Sequence, residues 1–300
     1  MNPYYRDYAD FLAEKFDGKV QKLPVDGGFS CPNRDGTLGH GGCVYCNNRS
    51  FSPMQSAGRT IRQQLEEGKR FFSRKYPSMK YLAYFQSHTN TYSPVDRALE
   101  LYREAIETDD VVGLVIATRP DCMPDRLLDE LAVINRRTPV IIEYGAESSH
   151  DTTLHRINRC HLWQDTVDAV RRTAAAGLSV GLHLIMGLPG ESDGMMLTTV
   201  DRVSELPVDT VKFHQLQVIS GTRLAADIAA GRESVEAMTL ERYIDLCCKI
   251  IERLRDDIAI ERFVSQSPGD MLISPRWGLK SGEFVERLHR RLSQRNSRRM

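Results

Sequence analysis

Apolar positions along the chain alternate between two kinds of stretch. Short continuous apolar runs give way to segments in which apolar residues recur every three or four positions. The runs lie at 19–25, 80–86 (KYLAYFQ), 111–118 (VVGLVIAT), 140–145 (VIIEYG), 179–186 (SVGLHLIM) and 210–214 (TVKFH). They predict six strands, and their continuity predicts a parallel sheet buried on both faces. Helical spacing predicts helices over 61–72, 95–106, 192–206 and 239–254. A further helix is predicted ahead of Leu127, Leu128, Leu131 and Ile134, with Pro124 in its first turn. Another runs from the fourth strand through Ala176, with Gly177 as its C-cap. Tyr5, Tyr8, Leu12 and Phe16 predict an N-terminal helix over 4–16, packed as a lid or edge element.

Most strands recur at the spacing of one βα unit, roughly thirty residues. An α/β chain follows, and periodicity allows either an open doubly wound sheet or a barrel. Both place function at the C-terminal ends of the strands. Polar residues do gather there, at 86–89, 118–121, 143–148, 187–191 and 214–217.

Composition narrows the classes. Forty Lys and Arg balance forty Asp and Glu over 300 residues, so no global charge draws the chain to nucleic acid or membrane. The N-terminus carries charges throughout, and no apolar run is long enough to span a bilayer. Seven cysteines without a secretory signal argue against a disulfide framework and point to the reducing cytoplasm. The exception to the charge balance is the end. Eight Lys and Arg between 276 and 300 face only Glu283 and Glu286, and the last eight residues read as frayed.

The chemistry concentrates at 29–51, FSCPNRDGTLGHGGCVYCNNRSF. Cys43 and Cys46 form a C-x-x-C clip, and Cys31 lies one glycine-rich loop upstream. Three thiolates leave a tetrahedral site open. They suit a [4Fe–4S] cluster with three irons held and one free. The alternative is a structural zinc site with His40 as fourth ligand.

This loop and the βα frame resemble the radical S-adenosylmethionine (SAM) superfamily. Within it, the match is to a small subfamily related to the radical SAM core of the Elongator catalytic subunit. The residues that carry the likeness are CPNRDGT with GGC-x-x-C at 31–46, YFQSHTNTY at 84–92 and ATRPDC at 117–122. RINR at 156–159, HLIMGLPGE at 183–191 and VKFHQLQVISGT at 211–222 complete the set, which spans roughly 15–280. Glu147, where Gln is common, and Gln217, where a second His is common, depart from the pattern, and both bear on substrate identity. Cys160 stands where Gly is expected.

The resemblance implies a partial (β/α)6 TIM-like barrel with an N-terminal helix and a C-terminal extension. The core would cover 1–260, with the cluster loop at 29–51, and the extension 261–300. Cys31, Cys43 and Cys46 would hold the cluster, and SAM would lie across the strand ends. Tyr45 would sit near the adenine, and Gln86 through Thr89 would meet the SAM amino group. Glu143 and Glu147 would meet ribose hydroxyls, with Glu143 otherwise paired to Arg119. Gly187 and Pro189 would border the adenine with backbone. Arg156 or Arg159 would face the SAM carboxylate, or else solvent. Reduced by a donor such as flavodoxin or ferredoxin, the cluster would cleave SAM to a 5′-deoxyadenosyl radical. The substrate would be an RNA base or a small metabolite.

Other residues read more plainly. Cys122 is a candidate hydrogen donor or second-cluster ligand, or an ordinary buried thiol. Cys247 and Cys248 point about 100° apart on a helix and cannot share a metal. His183 and His214 read as satisfied interior histidines. The rival class is a binding module, in which zinc or an inert cluster folds the loop and the basic tail binds RNA.

Overall fold

The computed structural model describes residues 2–47, 58–73 and 78–297, with backbone alone for Ser73, Asn296 and Ser297. Residues 48–51 of the cysteine stretch lie outside the described residues. In chain order the elements are α1 (Tyr8–Lys15), β1 (Val20–Val25), α2 (Ile61–Ser73), β2 (Lys80–Phe85), α3 (Val95–Ile106) and β3 (Val111–Thr118). Next come α4 (Asp125–Asn135), β4 (Val140–Glu147), α5 (Asp151–Arg156), α6 (Trp163–Ala175), β5 (Ser179–Met186), α7 (Asp193–Ser204) and β6 (Thr210–Gln215). The chain ends with β7 (Val218–Ile219), α8 (Arg223–Ala229), α9 (Leu240–Arg253), β8 (Ala259–Arg262), β9 (Leu272–Ser274) and α10 (Ser281–Ser297).

Seven strands form one parallel sheet in the order β1-β2-β3-β4-β5-β6-β8. The sheet curls into a half-barrel with helices outside it, a partial TIM barrel. Strand side chains alternate between the two faces, and each face has its own core. Leu114, Ile116, Ile142, Leu182, Leu184 and Phe213 meet the helices. Leu82, Tyr84, Val115, Ala117, Ile141 and Ala259 turn inward, where Phe11 and Phe16 pack against them. The N-terminal helix therefore plugs the interior. It is shorter than predicted because Asp7 caps it, accepting from the backbone N–H of Asp10.

Three other local expectations change. Pro124 is the residue ahead of α4, not part of its first turn. The helix expected through Ala176 is two, because Asn158 and Cys160 take positive φ values of 55° and 57° and break it. A left-handed φ also explains why glycine suits position 160. Of the last eight residues, 293–297 are helical rather than frayed, for α10 runs through Ser297, anchored by buried Phe284, Leu288 and Leu292. Residues 298–300 lie outside the described residues. Among the described residues no helix is long and apolar enough to cross a membrane.

Candidate functional site

The cysteine loop leaves β1 and folds on its own backbone. Cys31 C=O accepts from the N–H groups of Arg34 and Asp35 at 2.8 and 3.2 Å, and Cys43 C=O accepts from Cys46 N–H at 3.0 Å. Just ahead of Cys43, Gly41 and Gly42 take φ of +78° and +77°, a turn that side chains disfavour. Three tethers then fix the loop over the sheet. Thr89 N–H reaches Ser30 C=O at 3.1 Å, Val44 N–H reaches Ile157 C=O at 3.0 Å, and Leu224 N–H reaches Val44 C=O at 2.8 Å. The RINR segment clasps it as well, since the Asn158 amide donates to Gly42 C=O at 2.9 Å. Asn90 secures the neighbouring strand ends, donating to Phe85 C=O at 2.9 Å and to Ala117 C=O at 2.7 Å.

Cys31, Cys43 and Cys46 all face one cavity of about 580 Å³ at the strand ends. The thiols are surrounded by donors. Asn33 Nδ2 and Arg159 Nη1 each lie 3.6 Å from Cys43 Sγ, and Arg34 Nη2 lies 3.4 Å from Cys46 Sγ. Among the described residues, Arg119 Nη1 and Arg159 Nε are buried here without a hydrogen-bond partner. Burial, with the Cys43 sulfur next, pushes the Cys46 thiol up to about 11, so ligation must release its proton. Among the described residues, no three His, Cys, Asp or Glu groups converge on a point suited to one metal ion. In a cubane each thiolate binds a different iron, so three thiols around one cavity suffice. Donor-rich, positively charged surroundings and three thiols on one wall fit a [4Fe–4S] cluster.

Tyr45, Gln86, Thr89, Glu143 and Glu147 line the same cavity. Glu147 lies beyond a register shift in β4 with φ of +66°, its carboxyl 3.6 Å from Arg159 Nη2 and hydrogen-bonded by Tyr45. Burial raises the Glu147 carboxyl above its ordinary value. Arg159 is the RINR arginine that reaches the cavity, while Arg156 pairs outside it with Glu233 at 2.6 Å. Gly187, Pro189 and Cys122 are not among the lining residues. Gly187 sits behind the wall, where an added Cβ would lie 3.9 Å from Leu216 Cβ. Cys122 lines a separate cavity with Phe29 and Tyr92, and burial pushes its thiol to about 12.

Glu143 has a different setting from the one expected. Its partner is not Arg119, which pairs with Asp121 at 2.7 Å. Instead Lys22 and Lys212 donate to it at 2.7 and 2.6 Å, and His183 Nε2 lies 3.0 Å away. Three of the carboxylate's roughly four acceptor sites are thereby taken. Both lysines also reach Glu261, at 2.7 and 3.2 Å. Lys212 lies 4.6 Å from the Tyr84 ring centre, and Lys22 4.4 Å from that of Tyr8. This ionic layer lies between the apolar plug and the cavity. Sequence reasoning missed Lys22, Lys212 and Glu261. The available signal was a lone lysine in the middle of each of two strands, VQKLPV and TVKFHQ. It also missed the wall formed by Arg262 and Ser265 through Pro268.

The layer has a pH consequence. Burial, ahead of the Lys212 charge, lowers His183 to about 4. A base with a lowered folded pKa leaves the unfolded chain to take up protons first, so stability falls as pH drops from 6.5 towards 4. Glu143, held low, keeps its charge through pH 5. Urea unfolding is expected to show a loss of about 2 kcal/mol from His183 between pH 7 and pH 5. His183→Gln should flatten that slope, and an unchanged slope would remove His183 as its source.

Comparison with known proteins fits this geometry. Residues 36–203 match the model described as the Radical SAM superfamily, more than half of the chain. The chain belongs to the radical SAM superfamily. That match begins after Cys31 and includes Cys43 and Cys46, and residues 208–294 match the Radical_SAM C-terminal domain. Uncharacterized protein YtqA of Bacillus subtilis (strain 168) is 36% identical, covering 95% of this chain and 88% of that protein. Protein YhcC of Escherichia coli (strain K12) is 38% identical, covering 89% and 85%. The structure of Methanocaldococcus infernus Elp3 superposes with a TM-score of 0.67 at 18% identity. It covers 94% of this chain, and the chain spans 64% of that one. Within the superfamily, this chain groups with YtqA and YhcC, and it shares its fold with Elp3. Its cofactors are a [4Fe–4S] cluster and SAM.

Proposed function

We propose that the chain is a radical SAM enzyme in which Cys31, Cys43 and Cys46 each hold one iron of the cluster. The observation that carries this reading is their shared cavity with Gln86, Thr89, Glu147 and Arg159. When bound and reduced, the cluster supplies the electron that splits SAM into methionine and a 5′-deoxyadenosyl radical, which takes a hydrogen atom from the substrate. The protein's own contribution is placement and exclusion of water. Arg159, buried with its Nε unpartnered, receives the SAM carboxylate. Gln86 and the 86–89 backbone meet its amino group. Glu147 with Tyr45 meets ribose and adenine, with the Gly187–Pro189 backbone behind them, and Glu143 closes the floor. An electron donor such as flavodoxin or ferredoxin supplies the reducing equivalent.

An RNA base is the favoured substrate. The relation to the Elongator catalytic subunit supports it, as does α10, where exposed Arg287 and Arg290 form no ion pair among the described residues. A small metabolite is the second reading. It is favoured by the engagement of Arg291 and Arg295 with Asp245, Glu241 and Glu252 of α9, which withdraws part of the basic surface.

The test is 5′-deoxyadenosine formation by anaerobically reconstituted protein given SAM and dithionite, with iron and sulfide counted on the same sample. Product with about four irons per chain supports the reading. A colourless zinc protein that leaves SAM intact would overturn it.

Gly145 offers a second check. A Cβ there would lie 2.6 Å from Arg159 Nη2 and 2.8 Å from Glu147 Oε1. Gly145→Ala is expected to displace both groups and weaken SAM binding about tenfold, roughly 1.4 kcal/mol, by equilibrium dialysis. Unchanged affinity would remove this pair from the SAM site.

A further inference from the structure

The proposed SAM site leaves the cavity wall built by β5, β6 and β8 unused. His183, His214 and Arg262 face the cavity there. Their alignment follows from register. His183, Lys212 and Arg262 are cross-strand partners in successive strands, and His214 lies two residues beyond Lys212 on the same face. The two imidazoles stack with centres 5.3 Å apart. Arg262 Nη2 sits 3.3 Å from His214 Nδ1 and 3.4 Å from its Nε2.

Charge is unbalanced at this wall. Lys22, Lys212 and Arg262 bring three cations, and Glu143 and Glu261 bring two carboxylates that both serve the lysines. Three less two leaves one positive charge. It falls on Arg262, which pairs with no carboxylate among the described residues and whose Nε is buried without a partner. The histidines do not add to it. Burial and then the Arg262 charge hold His214 well below its ordinary value, so it stays neutral. A desolvated guanidinium is stabilised by an oxyanion that matches its fork.

The wall is also built in advance. Ser265 N–H donates to Gln215 Oε1 at 2.7 Å. Gln215 and Gln217 donate to Ser265 C=O at 2.9 and 3.2 Å, and the Ser267 hydroxyl donates to Gln217 Oε1 at 2.7 Å. These bonds hold the segment after β8 against the end of β6. Gln217, one of the two positions departing from the subfamily pattern, is part of this brace.

We propose that this wall is a subsite for an oxyanion group of the substrate, a carboxylate or a phosphate, received by Arg262 with His214 beside it. The inference rests on reading the cavity as the active site. Its test needs no SAM cleavage, so the two can fail separately.

The experiment uses the full cluster-loaded chain with histidine-labelled imidazoles, followed by NMR with SAM already bound. Inorganic phosphate and acetate are titrated in separate arms. The His183 and His214 resonances should move with at least one probe, while His289, beside Tyr4 on α10, stays still. Arg262→Ala should raise the apparent dissociation constant at least tenfold, and Arg262→Lys should fall between. Arg262→Gln serves if the alanine variant unfolds. A stronger phosphate response supports a nucleotide-type group, and a stronger acetate response a carboxylated one. Three results overturn the proposal: no response to either probe, an equal response without Arg262, or a response seen only when SAM is absent. The last would give Arg262 to the SAM carboxylate.

Discussion

Cys43→Ala is expected to reduce 5′-deoxyadenosine formation by more than about a hundredfold, since losing even an outer-shell partner of a metal ligand costs roughly 10–100-fold. Cys43 is the most enclosed of the three thiols at 7% exposure, and its sulfur has both Asn33 and Arg159 within 3.6 Å. The loop should nonetheless hold its path. Its tethers at residue 44 are backbone bonds to Ile157 and Leu224, which the substitution leaves intact. Cooperative melting with low iron is therefore the expected pair of observations, and Cys43→Ser should behave alike. Full iron content and undiminished product in either variant would show that Cys43 is not a ligand. Cys122, walled off in its own cavity, should tolerate alanine far better in the same assay.

Glu143→Ala is expected to cost about 3–5 kcal/mol of folding stability, the effect of removing one partner from a buried ion pair. Lys22 and Lys212 would then share Glu261 alone, with Lys212 only 4% exposed. Repulsion between the lysines, which the carboxylate now offsets, would act across the barrel interior. Urea unfolding at pH 7 measures the loss. Lys212→Met in the same background should recover part of it, because the two sites are coupled through one contact. A loss below about 1 kcal/mol would show that the layer is solvated and that Glu143 is not its centre.

The two predictions differ in how much of them was legible beforehand. The Cys43 expectation comes from spacing: C-x-x-C behind a glycine-rich loop is a local pattern, and the structure brings all three cysteines to one wall. That Tyr45, Gln86, Thr89 and Glu147 line the cavity was equally readable, because they lie at strand ends or in the loop after β1, and a parallel sheet gathers its strand ends on one side. Gly187 and Pro189 follow a strand end too, yet lie behind the lining. Position along the chain does not say whether a turn folds over the mouth or away from it. The Glu143 expectation was out of reach. Nothing local marks it as the partner of two lysines rather than of Arg119.

Strand β8 shows the same limit. Four residues, AIER, with two of them buried, carry too short a pattern to separate from a loop. Only pairing with β6 makes them a strand and sets Arg262 beside His214. The division of one expected helix into α5 and α6 also escaped the apolar pattern, because it depends on two positive φ values held by contacts with the cysteine loop.

By itself the sequence determined the alternation of strand and helix, the parallel buried sheet and the cysteine spacing, since side-chain period and turn chemistry act over a few residues. The tertiary structure alone decided which side chains meet inside the half-barrel. Lys22 reaches Glu143 across 121 residues and Lys212 reaches it across 69. Those separations close only when the sheet curls and brings its first, fourth and sixth strands to face one interior. That curvature depends on how the helices pack outside the sheet and how α1 fills its base, so no single stretch of chain encodes it.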